Sequence, residues 1–357
     1  MNSIAPAPPA TYAAYTGDPV NDRDAVLTVW GGALGQVSRP FAAKFDWFYL
    51  SCPWGTPLLE LLQHTPTANC VGTAAAGPRR MLWQGREIRA GVLVDMAVAT
   101  QHRTLGPALM LQAGLRTAAA ERFDLLYGFP NPKAIAVATR AGYPVIGALR
   151  RFTCVLRHGG YFARSMPRLL AQPVGYVFDA WRNTQRALRA RRSPCLVATW
   201  RDRADPRMDE LWLNSEHGNG LITVRDTTLL RWRFDELPGI KTRYLCLSEL
   251  PDGPLLAWFA CQIDGSTLQV RDFWSRDAAR GTSRTLIDAL IRAARSDCQQ
   301  HAALSIEYAA PASKLLGWLA AGFVEREQQP IVGCWLNSAT DGQAMTDIHL
   351  TAADEDE

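Results

Sequence analysis

A long apolar run from Ile88 to Val98, interrupted by Arg89 and Asp95, stops abruptly at the polar string Thr100-Gln101-His102-Arg103, and from Leu105 to Ala120 apolar residues recur at helical spacing. That junction constrains the fold more than any other feature of the chain. A long apolar run bounded by polar residues reads as a strand buried on both faces, and a strand leading directly into an amphipathic helix implies a sheet with helices packed on it. The turn between them gathers backbone N–H groups at the positive end of a helix dipole, which suits a phosphate.

Upstream, helices are expected near 23 to 36 and from Phe41 to Leu50, and strands over Pro57 to Leu62 and Cys70 to Ala75. Downstream, the pattern predicts a strand over Phe123 to Phe129, a helix over Pro132 to Ala141 and a strand over Val145 to Leu156. A similar order returns after residue 195, with strands over Thr242 to Leu247, Leu255 to Ile263 and Leu268 to Trp274. It continues through a helix over Ser283 to Gln299, a strand over Ala303 to Tyr308, a helix over Lys314 to Ala321 and a strand over Ile331 to Leu336. Adding 180 to Ala141-Gly142-Tyr143 gives Ala321-Gly322-Phe323, and the same shift carries Phe123–Tyr127 onto Ala303–Glu307. An internal duplication explains this economically.

The domain boundaries follow: 1–19 disordered, 20–156 a first α/β (α+β) unit, 157–194 a basic helical connector, 195–338 a second unit and 339–357 a solvated acidic tail. The connector carries Arg182, Arg186, Arg189, Arg191 and Arg192 beside Trp181. It is either a solvated face or a weak peripheral contact with an anionic membrane, and nucleic acid is not expected. No apolar run approaches the roughly 20 residues of a membrane span, so the chain is read as cytoplasmic. Eight dispersed cysteines without a C-x-x-C pair are read as reduced thiols, and no metal site is expected.

Val98, Arg103, Gly106 and Ala108 are spaced as Val-x-x-x-x-Arg-x-x-Gly-x-Ala, and Asn131, Ala134 and Gly142-Tyr143 follow. Gly106 lets main chain approach a phosphate closely, Ala108 keeps the first helical turn slim, and Pro107 fixes its own φ while lacking a donor. These residues resemble the strand-four and pyrophosphate-loop junction, and the segment after strand five, of the GNAT N-acetyltransferase superfamily, over roughly residues 20–156. The resemblance implies tandem GNAT-like domains, each with a mixed central sheet flanked by helices. It also implies that acetyl-CoA or another acyl-CoA serves as co-substrate and that a primary amine of a small molecule or sugar is the acceptor.

Carried over residue by residue, Met96, Ala97 and Val98 pair with the pantetheine arm, Arg103, Thr104, Leu105, Gly106, Pro107 and Ala108 hold the pyrophosphate, and Asn131 contacts the arm from the neighbouring strand. Val98 N–H is the candidate oxyanion donor and Asp95 the candidate catalytic carboxylate. Two positions depart from the family pattern: Val92 stands where some members keep a glutamate base, and Ala138 where many keep a tyrosine acid. Alternation along the strand puts Asp95 on the face opposite Val92 unless a bulge intervenes. His102 is either a base, a phosphate contact or simply solvated.

The acceptor wall is sought in Asp46, Trp47, Tyr49 and the Cys52-Pro53-Trp54-Gly55 loop, with a core role for Trp47 equally open. In the second unit the shift of 180 puts Leu286 at the place of Gly106, Asp288 at that of Ala108 and Pro311 at that of Asn131, so this copy is expected not to bind CoA. The stretch Arg225-Asp226 through Trp232-Arg233-Phe234 resembles one found in tandem bacterial acetyltransferases. Arg231 and Arg233 either meet an anionic acceptor or flank a packed tryptophan as solvated cations. Two further functions remain open, an aminoacyl transferase of the Fem type and a non-catalytic acyl-CoA sensor or scaffold.

Overall fold

The computed structural model describes residues 11–34, 40–159, 168–190, 195–297, 301–336 and 345–355. The apolar run forms strand β4 (Arg86–Val98), paired along its length with the antiparallel β3 (Asn69–Trp83). On its other side β4 meets the parallel β5 (Leu125–Gly128), but only through Ala90–Leu93. Beyond Leu93 the two strands part, and that separation opens a cleft between them.

Strands β1 (Tyr12–Gly17) and β2 (Leu58–His64) extend the sheet beyond β3. On one face lie α1 (Arg23–Ala33) and α2 (Phe41–Phe45), the latter running on through a wider π turn at Asp46–Leu50. The other face is covered by α3 (Leu105–Ala119), whose Leu111, Leu115 and Ala119 pack with Leu62, Val71 and Leu126, and by α4 (Ile135–Arg140). The strand β6 (Val145–Val155) closes the first unit and α5 (Arg168–Ala190) leads away from it.

The second unit comprises β7 (Val197–Arg201), α6 (Arg207–Leu213), β8 (Leu221–Thr223) and α7 (Thr227–Leu230), which runs into a second π turn at Arg231–Asp235. It continues with β9 (Arg243–Ser248), β10 (Leu255–Asp264), β11 (Thr267–Ser275), α8 (Arg284–Ser296), β12 (Ala303–Ala309), α9 (Ala312–Ala321), β13 (Val324–Trp335) and β14 (Ile348–Thr351). The order parallel pair, helix and long closing strand thus recurs at an offset near 180. Gly142 and Gly322, one offset apart, both take positive φ, +90° and +99°, at the turn before the closing strand.

The two units do not keep separate sheets. The described strands form one 14-stranded sheet in the order β1-β2-β3-β4-β5-β13-β6-β12-β11-β10-β9-β7, with β8 and β14 pairing off this path. Each closing strand crosses over: β13 pairs with β5 of the first unit, β6 pairs with β12 of the second, and the two lie side by side. The mixed sheet expected of each unit is present, and two exchanged strands join the two into one.

Two expected tails also differ from the structure. Residues 1–10 lie outside the described part, but Tyr12–Gly17, expected to be disordered, is the edge strand β1. The described part of the acidic tail is not solvated either. Thr351 caps a short turn at Ala352–Asp354, all three residues are buried, and Asp354 Oδ2 lies 3.0 Å from the buried Arg225 guanidinium. Asp272 flanks the same guanidinium at 2.9 Å, so one enclosed cation holds two carboxylates.

Candidate active site

The parting of β4 from β5 opens a cleft of about 450 Å³. One wall is Leu93–Met96 of β4 and the other Gly128–Asn131 at the end of β5. Lys44 and Phe41 close it from the first helices, Ala134 and Ala138 from α4, and Gln329 and Glu355 from the second unit.

The β4 wall is irregular for a reason visible in the register. Ala97 pairs with Thr73 and Val94 with Ala75, so two residues, Asp95 and Met96, stand opposite Ala74. This is a β-bulge, and Asp95 takes φ +53°, a strained value for a residue with a side chain. Bulging turns Asp95 into the cleft lining. Its Oδ1 lies 2.7 Å from Lys44 Nζ, its Oδ2 accepts from Tyr49 OH at 3.0 Å, and its carbonyl accepts from Thr73 Oγ1 at 3.0 Å. Three partners on three elements hold the distorted backbone in place. Beside it, Gln112 Nε2 of α3 donates to Met96 Sδ at 3.0 Å.

Thr104 is the N-cap of α3, whose Gln112 lines the cleft, and takes an extended conformation. Not every residue of the 103–108 loop offers an N–H. Arg103 N–H donates to Thr100 O and Thr104 N–H to His102 O, while Pro107 has none. Leu105 and Gly106, at the first two helical positions, are the donors that have no intrahelical acceptor. Gly106 is exposed, and a Cβ there would meet nothing within 4 Å. The Arg103 side chain is occupied with main chain, donating to Val98 O at 3.3 Å and Ala33 O at 2.8 Å, and so ties the end of β4 to the end of α1.

Searches against protein-family models and curated proteins find no match. Solved structures do match. A probable N-acyltransferase from Enterococcus faecalis is 10% identical with TM-score 0.64, covering 92% of this chain and 73% of that one. A GCN5-related N-acetyltransferase from Anabaena variabilis gives 10% identity and TM-score 0.63 over 91% and 73% of the respective chains. Saccharomyces cerevisiae N-myristoyltransferase with bound myristoyl-CoA gives 11% and 0.53 over 94% and 85%. The chain has the GNAT acetyltransferase fold.

Within that fold, the residues singled out from the sequence separate into two groups. Asp95, Met96 and Asn131 line the cleft, whereas none of Arg103–Ala108 does; Leu105 and Gly106 begin α3, which reaches the lining through Gln112. Ala97 and Val98 do not line it. Ala99 N–H donates to Val71 O, so alternation turns the Val98 N–H away from β3, toward the side on which β4 and β5 part. Asn131 Oδ1 accepts from the N–H groups of Lys133 and Ala134, fixing the start of α4 beside the cleft. Ala138 lines the cleft without any group able to donate a proton.

Several expected contacts lie elsewhere. His102 Nδ1 is 3.0 Å from Tyr12 OH and its ring is 4.7 Å from that of His64, outside the cleft lining. Asp46 pairs with Arg23, Trp47 is buried against Trp232, and Trp54 packs on Trp232 near Arg79. Of the proposed acceptor wall only Tyr49 reaches the site, through Asp95. Arg233 is buried, not solvated, and bonds to the carbonyls of Ala352, Ala353 and Glu355, whereas Arg231 is exposed. In the second unit Asp288 is buried with its carboxylate 3.4 Å from Arg284.

Sequence reasoning missed Lys44, Gln329 and Glu355. Lys44 is a single lysine in an amphipathic stretch, with no local signal. Glu355 comes from a segment whose composition reads as solvated, and its place follows only from the long-range anchoring of Asp354 by Arg225. Among the described residues no group of three His, Cys, Asp or Glu side chains is arranged to hold a metal ion.

Proposed function

We propose that the chain is an acyl-CoA-dependent N-acyltransferase that transfers acetyl from acetyl-CoA, or a longer acyl group, to a primary amine of a small molecule or sugar in the cytoplasm. The observation that carries this is the cleft between β4 and β5, with a bulged wall at Asp95 and with α3, which follows directly on β4, contributing Gln112 to its lining. In this reading Leu105 and Gly106 N–H groups receive the pyrophosphate, the pantetheine arm runs along Met96, Ala97 and Val98 opposite Asn131, and Val98 N–H meets the developing oxyanion. The second unit, with Asp288 and Pro311 at the equivalent positions, shapes the acceptor side and does not bind CoA.

The amine nitrogen attacks the thioester carbon, a C–N bond forms, the C–S bond breaks and CoA leaves as thiolate to be protonated from solvent. Two carboxylates face the cleft. Asp95, tied to Lys44 and Tyr49, is assigned a positioning role at the bulge, and Glu355, which enters the lining from the second unit, the acceptance of the amine proton, directly or through water.

Calorimetry with acetyl-CoA, longer acyl-CoAs and free CoA tests the donor half. Wild type is expected to bind with one site per chain, and failure to bind every CoA ester overturns the reading. Mass spectrometric detection of acylated product over amino sugars, amino acids and polyamines tests the acceptor half. The lack of a proton donor at Ala138 favours a second reading, an acyl-CoA sensor, which is the conclusion if CoA esters bind and no amine is acylated.

A further inference from the structure

The helix α5 (Arg168–Ala190) is held to the body through Gly175, Phe178 and Asp179. Gly175 packs against the main chain of Gly159, which leaves no space for a Cβ at residue 175. Asp179 accepts from the His158 N–H at 3.0 Å and contacts His158 Nδ1 at 2.5 Å, and Phe178 packs edge-on to the same imidazole. On another side of the helix Leu170, Val174, Val177 and Trp181 follow one another at spacings of four, three and four, and are 59, 44, 68 and 55% exposed. That spacing keeps all four on one stripe of the helix surface. Pro173, Val174, Val177, Phe178 and Trp181 frame a shallow groove lined by apolar residues.

We propose that this stripe seats the protein peripherally on an anionic lipid surface. The stripe has an aliphatic centre, and Tyr176 and Trp181, both exposed, belong to the aromatic class that partitions to the headgroup boundary. Charge selects the lipid sign. The helix sequence contains Arg168, Arg182, Arg186 and Arg189 and no lysine or glutamate, and its single acid, Asp179, is already paired with His158. Arg191 and Arg192 follow directly in the sequence. An anionic surface meets these charges with attraction, each cation near it strengthening binding about fivefold. The inference is independent of the chemistry proposed for the cleft.

The test uses the full chain with vesicles of phosphatidylcholine alone or mixed with phosphatidylglycerol. Wild type is expected to float with the mixed vesicles and not with phosphatidylcholine alone, and raised salt is expected to release it. A Val174→Ser/Val177→Ser/Trp181→Ser variant is expected to stay at the bottom of the gradient with an unchanged melting temperature, because these side chains support no core. An Arg182→Gln/Arg186→Gln/Arg189→Gln variant is expected to bind at least roughly tenfold more weakly. Wild type that ignores the mixed vesicles, or serine and glutamine variants that float as wild type does, overturn the proposal. So does sedimentation showing a wild-type dimer that the serine variant converts to monomer, which assigns the stripe to a second copy.

Discussion

Trp47 and Trp232 exchange hydrogen bonds: the indole N–H of Trp47 donates to the carbonyl of Trp232 at 2.8 Å, and that of Trp232 donates to the carbonyl of Trp47 at 3.3 Å. Their rings stack with centroids 4.7 Å apart and planes 15° from parallel. Each sits in a π turn that extends a short helix, one in each unit, so the contact is symmetric in backbone as well as in side chain. It welds the two units on the face opposite α3.

Replacing Trp232 with alanine removes the stack and the indole N–H that donates to the Trp47 carbonyl, while the carbonyl of residue 232 still accepts from the Trp47 indole. A loss of about 3–5 kcal/mol is expected from the size of the buried side chain. Urea unfolding monitored by circular dichroism is expected to remain a single transition at lower midpoint. Two separated transitions would show that the units unfold independently.

Gly106→Asp is expected to abolish acyl-CoA binding while leaving the melting temperature within a degree or so of wild type, since residue 106 is exposed and its Cβ position is open. Aspartate at a helix N-terminus suits the dipole but repels a pyrophosphate. Calorimetry and thermal melts on the same sample separate the two effects, and a variant that still binds acetyl-CoA removes the α3 N-terminus from the site.

Glu355→Gln and Asp95→Asn are expected to differ in kind. The first lowers kcat by roughly 10²–10⁴ and removes the acidic limb of the pH–rate profile without altering acyl-CoA affinity. The second weakens the tie between Lys44 and the bulge, lowers stability by about 1–3 kcal/mol, and keeps the acidic limb. An unchanged limb in Glu355→Gln sinks the assignment of the base.

His349 makes the fold acid-sensitive. Burial holds its imidazole well below the ordinary value, with Arg225 and Lys314 acting in the same direction. The folded pKa is depressed, so below about pH 6.5 the unfolded chain binds a proton that the folded chain refuses. The neutral form's contribution is complete above that pH and declines by about 1.4 kcal/mol per pH unit as pH falls toward the folded pKa. Melts at pH 7.5 and 5.5 should differ more for wild type than for His349→Asn.

Asp354→Ala leaves the enclosed Arg225 with Asp272 as its remaining carboxylate. A cost of about 3–5 kcal/mol is expected from the broken pair. Because the same segment carries Glu355, acyl-CoA binding should outlast turnover as the variant is warmed. Loss of both together would show that the tail supports the whole cleft.

The β4–α3 junction was legible in the sequence because both its faces are buried, and burial on two faces writes a continuous apolar run. The same cause made Leu125–Gly128, Leu255–Asp264 and Thr267–Ser275 readable to within a few residues. Strand β13 was seen only from Ile331 onward. Its first half, Val324-Glu325-Arg326-Glu327-Gln328-Gln329, is polar and largely exposed, and becomes a strand through its ladder with β6. The orientation of Asp95 depended on a bulge, which leaves no mark in the order of residues. Arg225 looked like part of a local motif, yet its partners lie 47 and 129 positions away.

The exchange of β6 and β13 sets the order in which the chain can fold. β5 gains its neighbour on the closing side only when Val332–Trp335 arrives, roughly 200 residues later. At typical synthesis rates of about 5–20 residues per second, that edge stays open for roughly 10–40 s on the ribosome. During that interval the first unit has its helices but its cleft lacks its last wall, because Gln329, Val332 and Glu355 are still unmade. The cleft is therefore completed last, and a ribosome that stalls before residue 324 leaves a nascent chain with an unpaired strand edge and no finished site.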